Sequence, residues 1–164
     1  MLLGVMSDSH DNLPKIAAAT ALFRKRGVKM ILHGGDVVAP FSVRTVLKGG
    51  IPLVAVFGNC DGEQPGMKKA CKTFFRSPHR FELGGRTIVL AHDPVDLEGE
   101  VSEGADLLVH GHTHHPHVRA GAPLLVNPGE TGGWLTGRST VVLVDLADLK
   151  AEMVDLGPQE TVEL

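Results

Sequence analysis

Two short segments place potential ligands at alternate positions: Asp8-Ser9-His10 and His112-Thr113-His114. In extended backbone, residues i and i+2 face the same side, so each segment can present two donors to one place. Three more clusters carry donors of the same kinds, Gly35-Asp36, Gly58-Asn59-Cys60-Asp61 and His92-Asp93. Two carboxylates, an amide oxygen and imidazoles suit Mn²⁺, Fe²⁺, Zn²⁺ or Ni²⁺ and suit Ca²⁺ poorly. Asp8, His10, Asp36, Asn59, His92, His112 and His114 are more ligands than one ion can take while keeping a water. Two ions sharing one carboxylate is the economical arrangement.

Each cluster follows an apolar run: LLGVM, MIL, PLVAVF, TIVLA and DLLV. Open α/β sheets place their sites at the carboxyl ends of strands, so five strand ends are expected to converge. Taken singly, each cluster has a plainer reading. Asp8-Ser9-His10 could cap a helix, Asp36 and Asn59-Cys60-Asp61 could be turns, and His92 could be a hydrogen-bonded histidine. The stretch VHGHTHHPH, residues 109–117, could be a solvated loop. The metal reading draws on all five together.

The elements needed to position these clusters are legible in the first half of the chain. Apolar runs LLGVMS, VKMIL and PLVAVF alternate with helical patterns over Leu13–Arg26 and Pro40–Lys48, which predicts βαβ units and a mostly parallel sheet. Pro14 at the start of the first helix and Gly27 just past its end mark its bounds. The second half reads as mostly β. Arg80–Leu83 and Thr87–Ala91 flank Gly84-Gly85 as a hairpin, with further strands at Asp106–Val109, Leu124–Val126, Ser139–Asp145 and Ala151–Asp155.

Composition bounds the rest. At 164 residues, without a repeat or low-complexity tract, one domain over residues 1–164 is expected. A net charge of −3 gives no clear nucleic-acid surface. No apolar run nears the ~20 residues of a membrane span, and the N-terminal MLLGVM lacks a basic flank, so it reads as a strand rather than a signal peptide. A cytoplasmic location is the expectation, with Cys60 and Cys71 reduced. A homo-oligomer is compatible with the sequence, which does not set the oligomeric state.

In order along the chain, Asp8-Ser9-His10-Asp11-Asn12, Gly35-Asp36, Gly58-Asn59-Cys60-Asp61, His92 and Gly111-His112-Thr113-His114 resemble the motifs of the calcineurin-like metallophosphoesterases, and more narrowly the small YfcE-type phosphodiesterases. Asn127-Pro128-Gly129 is similar to a further element of that family. The resemblance implies an α/β fold in which a β-sandwich of two mixed sheets is flanked by helices, in four α/β/β/α layers. It implies that Asp8, His10 and His114 hold one ion, that Asn59, His92 and His112 hold a second, and that Asp36 bridges them. Mn²⁺ is the ion expected, with Ni²⁺, Fe²⁺ or Zn²⁺ as alternatives. A hydroxide activated by the binuclear centre would attack a small or nucleotide-like phosphodiester in line. Asn12 and Cys60 are expected to face the substrate.

Three positions depart from the family pattern. Cys60 stands where many relatives have a histidine that assists the leaving group, and a thiol is a weak donor. Asp93 and Glu130 add carboxylates beside the pocket, which should disfavour a doubly charged monoester. Two other functions compete with the enzyme. A scaffold for protein assembly on the same fold is expected to lack ligands, whereas all seven positions here can coordinate. A histidine-rich metal buffer would use residues 110–117 alone. His33 and His110 are expected to support ligands from behind, and His79, His115 and His117 to be exposed.

Overall fold

The structure is a computed structural model that describes residues 1–157. The first helix, α1 (Leu13–Arg26), has the predicted bounds. Asn12 caps it by accepting from Lys15 N, and Gly27 closes it at φ 75°. Its buried face, Ile16, Ala19, Thr20 and Phe23, follows the 3–4 residue spacing of one helix side. Phe23 lies flat on β1 (Leu2–Met6), where a Cβ on Gly4 would stand 2.9 Å from the ring. The glycine lets helix and sheet approach.

The predicted βαβ alternation continues through β2 (Met30–His33), α2 (Pro40–Leu47) and β3 (Leu53–Val56). A third helix, α3 (Gln64–Ala70), and a two-residue strand, β4 (Phe74–Phe75), were not apparent in the sequence, because Pro65 and Gly66 break the helical pattern. The hairpin forms as predicted from β5 (His79–Leu83) and β6 (Arg86–Leu90), with Gly84 and Gly85 both at positive φ as a type I′ turn requires. The remaining strands are β7 (Leu107–Val109), β8 (His117–Arg119), β9 (Leu124–Asn127), β10 (Thr140–Asp145) and β11 (Lys150–Asp155).

Two mixed sheets result. One has the order β11-β10-β1-β2-β3-β4, parallel from β1 to β4 and antiparallel through β10 and β11. The other runs β5-β6-β7-β9-β8. Leu3, Val5, Leu32, Val54 and Val56 meet Ile88, Leu90, Leu107, Val109 and Val126 between the sheets, while Met6, Ile31, Val43 and Phe74 pack beneath the helices. On the far side the expected helical layer thins to two 3₁₀ turns, Pro94–Leu97 and Gly99–Ser102. There Val89, Ala105 and Leu108 form a small third cluster, with Leu97 and Val101 packed against it. Among the described residues no helix is long and apolar enough to cross a membrane.

His79 differs from its expected exposure. It is half-buried and stacks 3.7 Å from Phe75 and 5.3 Å from Phe81, because β5 turns it onto an aromatic column. His115 and His117 are exposed, as expected.

Candidate metal centre

The ends of β1, β2, β3, β6 and β7 bring all seven predicted donors to one edge of the sandwich. Asp8, His10, Asp36 and Asn59 come from the first sheet, and His92, His112 and His114 from the second. Their donor atoms form two groups that share Asp36 Oδ2. In the first, Asp8 Oδ1 lies 3.9 Å from His10 Nε2 and 3.5 Å from His114 Nε2, and His10 Nε2 lies 3.6 Å from Asp36 Oδ2. In the second, His92 Nε2 is 3.5 Å from Asp36 Oδ2 and 2.8 Å from Asn59 Oδ1, which is 3.0 Å from His112 Nδ1.

Backbone conformation explains how these atoms meet. Asp8, His10, Asp36, His112 and His114 all have φ between 40° and 68°. Non-glycine residues adopt this left-handed region at a steric cost, and they persist there only where the surroundings dictate it. Alternate residues share a side in extended backbone, but these segments curl just past their strands. Hydrogen bonds hold the curl: Asp8 N and His10 N donate to Gly35 O and Asp36 O, and Gly132 N donates to Asp8 O, each at 3.0 Å. His112 N donates to Asp8 Oδ2 at 3.1 Å, and Asn127 Nδ2 to Thr113 Oγ1 at 2.8 Å.

Asp61 anchors the other side. Its buried carboxylate accepts from the backbone N–H groups of Asp36, Val38 and Gly58. A Cβ on Gly58 would fall 2.1 Å from Asp36 Oδ1, so only glycine lets this turn pass under the central carboxylate.

The residues fit a cation. Asp8 Oδ1 and His10 Nε2 are buried without a hydrogen-bond partner, an arrangement that is costly for a carboxylate unless a positive group completes it. Burial pushes the Asp8 carboxyl above its ordinary value despite the hydrogen bond from Ser7 and the nearby His92 and His114. A divalent ion would reverse that balance.

Asn12 and Cys60 sit differently. Asn12 is buried, with Oδ1 capping α1 and Nδ2 donating to Gly132 O at 2.7 Å, so its amide holds the loop beside the candidate donors. Cys60 is exposed, and its N–H donates to Asp36 Oδ1 at 2.8 Å. Burial of the sulfur and the neighbouring Asp36 carboxylate push the thiol up to about 11, so it stays protonated. Cys60 also joins His10 and Asp36 in a group of donors near enough to share an ion.

Glu130 does more than the sequence suggested. Its fully buried carboxylate accepts from Trp134, Leu135 and Thr136 N–H and from the Thr136 hydroxyl, and Oε1 lies 3.6 Å from His114 Nδ1. Burial alone would raise its pKa, and these donors more than reverse the effect, leaving it below the ordinary value. Asp93 caps a 3₁₀ turn through Oδ1 and lies 3.8 Å from His112 Nε2 through Oδ2.

His33 is fully buried behind the candidate donors. Its Nδ1 accepts from Gly35 N, and its Nε2 meets Ser9 Oγ at 3.0 Å. Burial lowers its pKa from 6.5 to about 3. The unfolded chain therefore takes up a proton that the folded chain refuses. His33 stabilises the fold fully above the unfolded value, and that contribution is lost as pH falls toward the folded one, by up to about 1.4 kcal/mol per unit. Urea unfolding in chelator at pH 7 and pH 5 should show a smaller acid loss in His33→Asn than in the wild type; equal losses would contradict this.

The profile of the calcineurin-like phosphoesterase superfamily domain matches residues 1–149. The chain is a calcineurin-like phosphoesterase. Within that superfamily it is 32% identical to the phosphodiesterase MJ0936 of Methanocaldococcus jannaschii, over 88% of this chain and 93% of the relative. An archaeal phosphodiesterase of known structure superposes with a TM-score of 0.85 at 28% identity, covering 94% of this chain and 99% of its own. YfcE, a phosphoesterase from E. coli, shares the fold at a TM-score of 0.69 and 22% identity, over 96% of this chain and all of the other. The expected two-sheet sandwich is thus the fold of known phosphoesterases.

Proposed function

We propose that this calcineurin-like phosphoesterase is a metal-dependent phosphodiesterase acting on small or nucleotide-like diesters. One observation carries the reading: seven donors converge in two groups around Asp36 Oδ2, with Asp8 Oδ1 and His10 Nε2 buried and unsatisfied between them. Asp8, His10 and His114 hold one divalent ion, Asn59, His92 and His112 a second, and Asp36 bridges. Bound divalent ions supply Lewis acidity toward the phosphoryl oxygens and an activated water as nucleophile. Mn²⁺ is the first ion to test, with Ni²⁺, Fe²⁺ and Zn²⁺ as alternatives. The cytoplasm belongs to the same reading.

The protein's own groups set the electrostatics and the geometry. Asp8 and Asp36 return only half the charge of two divalent ions, so the pocket stays positive within a chain of net charge −3 and draws an anion. The left-handed loops fix the donors before substrate arrives, which lowers the reorganisation needed during reaction. Cys60 at the lip of the pocket offers a weak S–H donor to a leaving oxygen, so substrates with good leaving groups turn over best. Asp93 beside His112 disfavours a second phosphate charge at the reacting centre, which selects diesters over monoesters.

Metal content measured by mass spectrometry, followed by assay of bis-p-nitrophenyl phosphate and p-nitrophenyl phosphate with added Mn²⁺, tests this. Two ions per chain and a higher kcat/KM for the diester are expected. Two bound ions with no turnover of either ester would point to a scaffold instead.

In this scheme Glu130 stands 3.6 Å behind His114 Nδ1, which is buried without a hydrogen-bond partner, while Nε2 faces Asp8, so a small shift on metal binding lets Glu130 orient the ring. Carboxylates behind metal-binding histidines fix their tautomer and raise their basicity. In Glu130→Gln, calorimetric Mn²⁺ affinity should fall about 10–100-fold. Unchanged affinity would reduce Glu130 to an anchor for the 134–136 loop.

A further inference from the structure

A groove of about 440 Å³ runs beside α3, lined by Phe57, Lys68, Lys69, Lys72 and Arg76 among others. Four cations and no carboxylate line it, in a protein whose net charge is negative. Lys68 is engaged, donating to Phe74 O at 2.7 Å and lying 5.3 Å from the Phe75 ring centre. Lys69, Lys72 and Arg76 have neither an ion pair nor a side-chain hydrogen bond with any described residue. Elsewhere some exposed cations are matched, Arg26 with Glu152, Arg86 with Asp106 and Arg138 with Asp155, while others such as Arg24, Lys25 and Arg119 also lack an ion pair among the described residues. What sets the groove apart is that four cations line one concavity. Like charges gathered without partners repel one another, and an anion placed among them relieves that repulsion.

The groove adjoins the proposed metal centre through two chain segments. Phe57, its half-buried apolar wall, precedes Gly58 and Asn59, and Asn59 Oδ1 meets both His92 and His112. Arg76 precedes Ser77, whose Oγ accepts from His92 N at 2.9 Å. Successive Cα atoms are about 3.8 Å apart, so Phe57 is at most about 7–8 Å from Asn59 along the backbone.

We propose that this groove is a subsite for a further phosphate group joined to the diester under attack. The inference rests on the phosphodiesterase reading and narrows its substrate class to diesters that carry additional phosphate. Lys69 and Lys72 supply point charges and Arg76 a two-pronged donor, while Phe57 gives the connecting sugar or base an apolar surface. The division of labour is consistent with the electrostatics already described: the ions neutralise the reacting phosphate, and the groove takes a charge that Asp93 would reject beside them.

Three substrates test it: thymidylyl-thymidine, its 5′-phosphorylated form, and the trithymidine with two diesters. The first lacks the extra phosphate, the second carries it as a monoester and the third as a diester. The wild type should favour the second or third over the first by about tenfold or more in kcat/KM, with an advantage that shrinks as salt is raised. Which of the two is favoured identifies the source of the phosphate. In the double variant Lys69→Gln/Lys72→Gln the ratio should fall toward one, whereas Arg24→Gln/Lys25→Gln, which removes equal charge from the last turn of α1, should leave it in place. A wild-type ratio of one, or a ratio that survives the groove variant, overturns the subsite while leaving diester hydrolysis intact. If no diester is hydrolysed with ions bound, the phosphodiesterase reading fails separately. Calorimetric binding of the first two compounds to wild type and groove variant then decides the subsite, and equal affinities overturn it.

Discussion

Asp36→Asn should lose diester hydrolysis by about 10³-fold or more, and its metal content should fall from two ions toward none. Asp36 Oδ2 is the atom common to both donor groups, within 3.6 Å of His10 Nε2 and 3.5 Å of His92 Nε2. An amide in its place removes the charge that both ions would share and can turn a donor toward two imidazoles. Dialysis followed by elemental analysis, alongside turnover of the aryl diester, measures both effects. Retention of two ions with activity within tenfold of the wild type would refute the bridging role. The experiment also separates the enzyme from a metal buffer built on residues 110–117. A buffer would keep its metal, because those histidines are untouched.

Asp61→Ala should be the most damaging change to stability near the site, by about 3–5 kcal/mol. Three backbone N–H groups, from Asp36, Val38 and Gly58, lose their buried acceptor at once. Each unsatisfied donor costs roughly 1–3 kcal/mol, with partial relief where water enters. Urea unfolding in chelator isolates this term from metal binding. Asp61→Asn, which keeps one oxygen, should fall between alanine and wild type. A loss below about 1 kcal/mol for the alanine variant would show that the donors find other partners.

The candidate donors were legible because chemistry and position coincide in them. Asp8, Asp36, Asn59, His92 and His112 each follow an apolar run, and a strand end is where a parallel sheet exposes its loops. α1 was legible because Asn12, Pro14 and Gly27 mark it with residues whose backbone preferences are strong. What escaped notice depends on partners distant in the chain. Asp61 looked like a turn residue until Asp36 N and Val38 N came within reach of its carboxylate. Glu130 read as an extra carboxylate beside the pocket, and only the fold shows it receiving the 134–136 backbone behind His114. The left-handed φ of five of the predicted donors could not be read from composition: aspartate and histidine enter that region more readily than most residues, yet only the loops' tertiary hydrogen bonds place them there. α3 was hidden by Pro65 and Gly66, and with it the row of lysines that it carries.

Each donor group draws from both sheets, and this bears on folding as well as on chemistry. An ion on Asp8, His10 and His114 would act as a cross-link between the first strand of one sheet and the loop after a central strand of the other. Bridges between distant chain positions suppress the disorder of the unfolded chain, and binding that requires the native arrangement adds its own free energy to the native state. The apolar layer between the sheets closes the sandwich along its length. At the catalytic edge, where polar loops replace that layer, the cations would be the fastening.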